Sequence, residues 1–385
     1  MLKMNEYITV YTPKDYSGHL PQGGIDLDCT LGVNPSPLPK LVLQSLQGIN
    51  EINQSKIKHY PHDETLREKL ALYYKRQGIN GIDAENLILG DGSIDLLYNI
   101  NLLFLGGGKK ALGYAPQFTA YTDHVNCIGA LYNAYILKRE NNYRFEADEY
   151  IKKMNTEYAL YIIENPNNPT GQVLNLNDVR KIAAKALALD TVLIVDEAYG
   201  DYMEIADSAL NLINEFPNII VTRSFSKGMG MAGMRLGYAA VSVQSGILPQ
   251  IKKTLCPFNC NAIARLLACA MLDSIMDEGG ISLIINTNEI SECKNKTLAS
   301  LTKLKAAHTS PRTPIFTLYY PVEDAPGQPP FDLQRFLAEK VRLAAVGCGT
   351  YDGLDARAVR IMLPDAKTTN SKLLPMLTLA ESLLE

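Results

Sequence analysis

The sequence predicts an α/β protein built on a mostly parallel β-sheet, followed by a smaller α+β region. From about residue 86 onward, short apolar runs such as "NLILG" and "DTVLIVDEAY" alternate with helical patterns such as "SIDLLYNINLLFL". Continuously apolar strands separated by helices indicate a sheet that is buried on both faces, which is typical of parallel sheets. After about residue 257 the order of the patterns changes, and this change predicts a second structural unit.

Each predicted element has its own signal. "GIDLDCTLGVNPSPLPKLVLQSL" predicts a short extended piece, a proline-rich turn and a helix from about Pro39. "HDETLREKLALYYKRQG" has helical spacing and ends at Gly78. Further strands are predicted at "KKALGYAP", "EYALYIIENP", "NIIVTRSFSK" and "MRLGYAAVS", with a helix at "LNDVRKIAAKAL". The tail predicts one long helix from "NAIARLLACAMLDSIM" onward, strands at "IFTLYYP" and "AVRIMLP", and helices at "DLQRFLAEKVRLAA" and at the end.

These patterns predict three segments along the chain. Residues 1–50 are expected to form an N-terminal arm and part of a small domain. Residues 51–260 are expected to form the large, ligand-binding domain, and residues 261–385 the rest of the small domain.

The composition excludes several classes of function. The chain has 385 residues and a formal net charge of -4, without a lysine- or arginine-rich block, so neither a nucleic acid nor an anionic membrane is an expected partner. No apolar run reaches the ~18 residues of a spanning helix, and the N-terminus lacks a signal-peptide core. We therefore expect a cytoplasmic protein. The seven scattered cysteines form no C-x-x-C pair and histidine is scarce, which favours reduced thiols over a metal site or disulfides.

Two polar motifs follow predicted strands, where open α/β sheets bind ligands. In "GDGSIDLL", glycines precede a helix that starts near Ser93, so free backbone N–H groups could hold an anion. A tight turn with a serine cap is the alternative. In "ENPNNPTGQ", two prolines and a glycine make a stiff loop that presents the amides of Asn167 and Asn168.

A third motif, "LIVDEAY", ends an apolar strand with Asp196 and Glu197. Such acids hold magnesium in ATPases, but that function requires a G-x-x-x-x-G-K-[ST] loop. The nearest candidate, "LGGGKKALG", lacks both the spacing and the hydroxyl, so a nucleotide hydrolase is excluded. Asp196 could instead bind a cationic ring nitrogen, with a helix cap as the alternative.

The fourth motif is "SFSKGMGMAGMRLGYAA". Apolar surroundings disfavour the ammonium form of a lysine, so Lys227 is a candidate nucleophile for a Schiff base. Ser224, Ser226 and Arg235 offer hydroxyl and guanidinium donors to an anion. One ligand suits all four motifs because it carries a phosphate, a phenolic oxygen, a ring nitrogen and an aldehyde. That ligand is pyridoxal 5'-phosphate (PLP).

In this order, "NPNNPTG", "VDEAY" and "SFSKGMGMAGMRLGY" resemble motifs of the class I/II aminotransferases of PLP fold type I. "HYPHDETLREKLA" and "GDGSIDLL" are similar to the histidinol-phosphate aminotransferase and threonine-phosphate decarboxylase branch. The resemblance extends from about residue 25 to the C-terminus. It implies a large domain with a mostly parallel, seven-stranded sheet between helices, plus a smaller α+β domain. It also implies a ping-pong transfer of an amino group from an L-amino acid to a 2-oxo acid.

The resemblance implies a role for each matching residue. Lys227 would be the catalytic amine, Asp196 would pair with the pyridine nitrogen, and Arg360 would hold the substrate α-carboxylate. The other implied cofactor contacts are Asn168 and Tyr199 to the phenolic oxygen, Phe118 on the ring face, and Gly92, Ser93, Ile94, Ser224, Ser226 and Arg235 to the phosphate. Gly32, Val33 and Asn168 would line the substrate pocket, and Tyr60 would reach the phosphate of a partner subunit in a homodimer.

Several alternatives stay open at this stage. An α-decarboxylase would use the same residues as an aminotransferase. Tyr60 could be a surface aromatic, and Arg312 a solvated loop residue rather than a contact to a distal acid. The stretches "GVNPSPLP", "AAVGCGTYDGL" and "SPRTPIFTL" depart from histidinol-phosphate aminotransferases and weigh against a phosphorylated substrate. A PLP-fold binding protein without turnover is disfavoured because Lys227, Asp196, Asn168 and Arg360 are all present.

Overall fold

The centre of the fold is a large sheet of seven strands. The computed structural model describes residues 5–12, 14, 24–47, 58–61, 64–322 and 330–384. Their strands are β1 Leu27–Asp28, β2 Leu87–Gly90, β3 Lys110–Ala115, β4 Leu131–Ile136, β5 Tyr158–Glu164, β6 Val192–Asp196, β7 Ile219–Ser224, β8 Gly237–Val241, β9 Lys305–Ala306, β10 Ile315–Tyr319, β11 Leu343–Ala344, β12 Val346–Gly347 and β13 Ala358–Met362. The large sheet has the order β2-β8-β7-β6-β5-β3-β4, and only β8 runs antiparallel to its neighbours. The predicted α/β class with a mostly parallel seven-stranded sheet is confirmed.

Helices cover both faces of this sheet. In the described residues they are α1 Glu6–Val10, α2 Lys40–Gln47, α3 Thr65–Arg76, α4 Ser93–Phe104, α5 Thr119–Cys127, α6 Ala147–Lys153, α7 Leu176–Ala188, α8 Ile247–Thr254, α9 Ala262–Glu278, α10 Thr287–Ala299, α11 Leu333–Val341, α12 Ala366–Thr368 and α13 Leu374–Leu383. Leu193 and Val195 of β6 pack into a core that includes α3, α7 and α9, whereas Ile194 packs into a second core with α4, α5 and α8. Because successive strand residues point to opposite faces, the apolar run of β6 fills both cores.

The structure differs from the sequence prediction at several places. The helix predicted at "DLQRFLAEKVRLAA" is too long, because α11 ends at Val341 and Leu343–Ala344 form β11. The long helix predicted from residue 261 onward is wrong, because α9 ends at Glu278 and α10 begins only at Thr287. Gly279 and Gly280 have φ angles of 150° and 71°, which lie in the left-handed region that residues with a side chain disfavour. Strand β4 was not predicted. It lies at the edge of the sheet, and none of its residues is fully buried.

A second sheet lies in the C-terminal part of the chain. Its four strands are antiparallel in the order β12-β13-β10-β9, and α11 and α13 share their core. The N-terminal strand β1 pairs in parallel with β11, and the Met362 N–H donates to the Cys29 carbonyl at 2.9 Å. The large sheet thus falls within residues 51–260 and the second sheet within 261–385, while the domain boundaries themselves stay a prediction.

The described residues also bear on two other expectations. Among them, no helix is long and apolar enough to cross a membrane. In the same residues, no three histidine, cysteine or acidic side chains cluster as metal ligands. All seven cysteines fall within the described ranges as free thiols.

Candidate active site

A cavity of about 610 Å³ opens at the carboxyl ends of β5, β6 and β7, facing β13 of the second sheet. Parallel strands deliver their C-terminal residues to the same edge of a sheet, so motifs far apart in the chain meet there. The sequence-predicted residues that line it are Gly32, Ser93, Ile94, Phe118, Asn168, Asp196, Tyr199, Ser224, Ser226, Lys227, Arg235 and Arg360.

Lys227 lies on the turn that follows β7, with its Nζ 5.3 Å from the centroid of the Tyr199 ring. Among the described residues, no hydrogen bond or ion pair holds this amine. The turn itself is fixed by Asn34, whose Nδ2 donates to the Gly228 carbonyl at 2.6 Å and to the Ile284 carbonyl at 2.9 Å. A side chain at Gly32 would collide with the Tyr199 hydroxyl, so glycine keeps the space in front of the amine open. The site therefore presents a positioned amine to a cavity.

Asp196 ends β6 as a buried carboxylate. Its Oδ1 accepts hydrogen bonds from Thr222 Oγ1 at 2.9 Å and from the Ala198 N–H at 3.1 Å. Burial raises the pKa of Asp196 to about 6, while these two hydrogen bonds oppose the shift. Both bonds use Oδ1, so Oδ2 remains for a donor from a ligand. A cationic N–H group beside Oδ2 would favour the ionised carboxylate.

Arg360 lies in the middle of β13. Its buried guanidinium lines the wall of the cavity that the second sheet provides. Its Nη1 donates to Asn168 Oδ1 at 3.2 Å and its Nη2 donates to the Thr30 carbonyl. Its Nε has no hydrogen-bond partner among the residues that the structure describes. Within the described residues it forms no salt bridge. Because a buried cation without an anion is costly, this environment favours a bound carboxylate.

Three kinds of anion-binding group meet at one end of the cavity. The N-terminus of α4 begins after Gly92, whose φ is 90°. Arg235 Nη1 donates to Ser226 Oγ at 3.3 Å, and the Ser226 N–H donates to Ser224 Oγ at 3.0 Å. A Cβ at Gly92 would lie 2.6 Å from Arg235 Nη2, so the glycine lets the guanidinium approach the helix start. A helix N-terminus, two hydroxyls and a guanidinium together can bind an anion such as a phosphate group.

Three predicted residues do not line this cavity. Gly92 lies behind it, against Arg235, and Val33 is exposed outside it. Tyr60 is 72% exposed and its ring stacks on that of Phe258, with 4.5 Å between the ring centroids, in a separate open depression. Tyr60 therefore does not contribute to the cavity of its own chain.

The prediction from sequence missed several residues that the fold brings to the site. Glu164 is the clearest case, because its position directly before the asparagine motif was visible in the sequence. Arg223 was also recognisable in the sequence, because an arginine within an apolar strand needs a charged partner. In the structure it pairs with Glu197 at 2.8 Å and with Asp201 at 3.2 Å. Glu197 is thus tied to Arg223 behind the site. The additional lining residues are Thr30, Leu31, Leu97, Tyr98, Ala120, Glu164, Pro166, Ala198, Ala232 and Val346.

Comparison with known proteins agrees with this geometry. Residues 28–373 match the family described as aminotransferase class I and II. The histidinol-phosphate aminotransferase of Thermoanaerobacter pseudethanolicus is 30% identical over 256 residues, covering 66% of this chain and 69% of that protein. The one of Prosthecochloris aestuarii is 30% identical over 314 residues, covering 80% and 82%.

A solved structure, a double mutant of Thermus thermophilus aspartate aminotransferase, has a TM-score of 0.82 at 19% identity and covers 99% of this chain and 100% of its own. At this level of identity the likeness shows the shared fold type I architecture. The family match extends from β1 to the π-helical turn at Thr369–Leu373, and so spans both sheets and the whole cavity. The chain therefore belongs to the class I and II aminotransferase family and is an aminotransferase.

Proposed function

We propose that this aminotransferase uses PLP to move an amino group from an L-amino acid to a 2-oxo acid in two successive half-reactions at one site. The observation that carries this proposal is the convergence of Lys227, Asp196 and the Ser224–Ser226–Arg235 cup on a single cavity. A nucleophilic amine, a carboxylate and an anion site at three points of one pocket match the aldehyde, ring nitrogen and phosphate of PLP.

The unsatisfied groups of the site fit the same ligand. The Tyr199 hydroxyl is buried without a hydrogen-bond partner in the described part of the chain, and it borders the space in front of Lys227. A phenolic oxygen from the cofactor would supply that partner. Phe118 lines the cavity and offers a ring face for stacking, which contributes on the order of 1 kcal/mol. The residues present therefore fit PLP, which when bound supplies the electron sink for chemistry at the substrate Cα.

The chain's own residues then have distinct tasks. Arg360 binds the substrate α-carboxylate and so selects which Cα bond is aligned for cleavage. Lys227 Nζ carries a proton to and from the substrate Cα. Asp196 Oδ2 would accept a hydrogen bond from the cofactor's ring N–H, and its negative charge would favour the protonated ring nitrogen. α-Decarboxylation would use the same three groups, so product analysis is part of the test below.

We further propose a cytoplasmic homodimer with Tyr60 acting in the partner's site. Tyr60 and Phe258 form an exposed aromatic pair, 72% and 53% accessible, outside the chain's own cavity. Such a pair is typical of an interface that a second subunit covers. The two-domain division at residues 50 and 260 belongs to the same proposal.

The test is a PLP titration of the purified protein followed by a screen of amino acids. We expect a visible absorbance band near ~420 nm that is absent from Lys227→Ala and retained in the exposed control Lys153→Ala. An amino acid that removes the band and yields its 2-oxo acid identifies the donor. Release of carbon dioxide would instead show a decarboxylase, and a protein that stays colourless with PLP would refute the proposal.

A further inference from the structure

We propose that Glu164 is a positioning residue of the cofactor site, which joins the backbone of the ring-stacking Phe118 to the Asn167–Asn168 turn. This inference rests on the proposed PLP function and assigns a task to a side chain that the mechanism above does not use. Glu164 ends β5, is buried, and lines the cavity.

The two oxygens of Glu164 serve different segments of the chain. Oε1 accepts a hydrogen bond from the Phe118 N–H at 3.0 Å, at the start of α5. Oε2 accepts from the Asn167 side-chain amide at 3.0 Å and from the Asn168 N–H at 3.1 Å. A carboxyl that only capped its own turn would bond nearby residues alone, whereas Phe118 is 46 positions away. Glu164 therefore fixes the distance between two groups that face the same ligand.

The neighbouring strand places a second carboxyl beside it. In the register of β5 and β6, Glu164 pairs with Asp196, so both side chains project from the same face of the sheet. Burial raises the pKa of Glu164 well above its usual value, and the Asp196 carboxylate adds to this shift. The hydrogen bonds from Phe118, Asn167 and Asn168 oppose this shift because they stabilise the ionised carboxylate, and they hold both of its oxygens as acceptors in one orientation.

This arrangement makes Glu164→Gln an informative substitution. A glutamine has one acceptor oxygen and one amide group that only donates, while both ends of the Glu164 carboxyl face N–H donors. Either orientation of the amide therefore breaks the link to Phe118 or the link to the Asn167–Asn168 turn. In Glu164→Asp the carboxylate keeps two acceptor oxygens, but it is set back by one C–C bond of about 1.5 Å and cannot reach Phe118 and the Asn167–Asn168 turn at once.

The experiment compares wild type, Glu164→Gln and the control Glu157→Gln, which lies just before the same strand and pairs with Lys110 on the surface. We expect the PLP dissociation constant of Glu164→Gln to rise on the order of 10-fold or more. The visible circular dichroism of the bound cofactor should also change, because it reports the ring's orientation in the site. Glu157→Gln should match wild type in both measurements.

A folded Glu164→Gln protein with wild-type PLP affinity and circular dichroism would overturn the inference, even if its apo form were less stable. Should Glu164→Gln fail to fold, the PLP dissociation constant and the visible circular dichroism of Glu164→Asp test the inference instead. Wild-type values there would overturn the inference, and weaker binding with altered dichroism would support it. A wild-type protein that takes up no PLP would instead refute the proposed function itself.

Discussion

Arg360 shows how a single side chain depends on its surroundings for its task. It occupies the centre of β13, where its cross-strand neighbours are Thr317 and Val346, so no acid lies opposite it in the sheet. Its contacts are neutral oxygens of Asn168 and Thr30. Because these contacts are neutral, they leave the positive charge of the guanidinium available to a bound anion, and its planar pair of N–H groups matches the two oxygens of a carboxylate.

We therefore expect Arg360→Ala to lower kcat/KM for amino acid donors. The loss should correspond to ~2–4 kcal/mol of transition-state binding free energy. Steady-state kinetics with the donor found in the spectral screen would measure the loss. Arg335→Ala, which removes an exposed arginine that pairs with Glu339 on α11, serves as the control and should leave kcat/KM unchanged. An Arg360→Ala enzyme with the kcat/KM of wild type would remove Arg360 from carboxylate binding.

Asp196 links stability to pH in the apo protein. Its folded-state pKa of about 6 lies above the ordinary value of about 3.9. The folded state thus holds this proton more tightly than the unfolded state. The resulting stabilisation is complete below pH ~3.9 and is lost as the pH rises through about 6, at a cost on the order of 3 kcal/mol.

An asparagine at this position does not titrate. The unfolding free energy of apo Asp196→Asn should therefore rise relative to apo wild type between about pH 4 and about pH 7. On the proposed function, the same variant should bind PLP more weakly, because it lacks the charge that would pair with the ring nitrogen. Chemical denaturation of both apo proteins across this range tests the first expectation, and a stability difference that does not change with pH contradicts it.

Among the elements, α10 contains the most unusual buried group. Lys294 is fully buried, and its Nζ lies 2.6 to 3.1 Å from five oxygens of the segment 309–315. Burial lowers the pKa of Lys294. The same segment contacts the asparagine loop, since Thr313 Oγ1 donates to the Gly171 carbonyl at 2.7 Å and the Ser310 N–H donates to it at 3.0 Å. Lys294 thus supports the loop that presents Asn168.

Replacing Lys294 by methionine keeps the aliphatic stem but removes every donor, and the buried oxygens then lose their partner. We expect a loss of about 2–4 kcal/mol in the free energy of unfolding. Lys296→Met is the matched control, because it lies on the same helix and its exposed Nζ bonds only Asn370 among the described residues. Equal denaturation midpoints for the two variants would show that the Lys294 contacts add no net stability.

At the scale of the whole molecule, the proposed dimer would place Tyr60 in the partner's site. The Lys227→Ala and Tyr60→Ala variants then lack different parts of one composite site. Mixing the two inactive or weakened proteins under conditions that exchange subunits would create hybrid dimers with one intact site. Random exchange predicts recovery of about a quarter of wild-type activity.

Sedimentation velocity of each protein, before and after mixing, establishes that dimers form and exchange. Dimers that exchange subunits without any gain in activity would refute a role for Tyr60 in the partner's site. A monomer at working concentrations would refute the dimer directly.

Much of this protein was determined by local sequence patterns. Asp196 ends an apolar strand, Lys227 and Asn168 follow two others, and a parallel sheet brings the ends of its strands to one edge. The α/β class, the site at that edge and the family were therefore predictable. Strand β4 and the break after α9 were not, because an edge strand lacks a continuous apolar run and a glycine pair ends a helix only in a particular backbone conformation.

Contacts between residues distant in sequence were decided only by the tertiary structure. The hydrogen bond from the Phe118 N–H to Glu164, the five oxygens around Lys294 and the burial of the Tyr199 hydroxyl all depend on how separate segments pack. Local propensity and periodicity report the neighbours of a residue along the chain, whereas the partners of a buried polar group are fixed by the three-dimensional position of every segment around it.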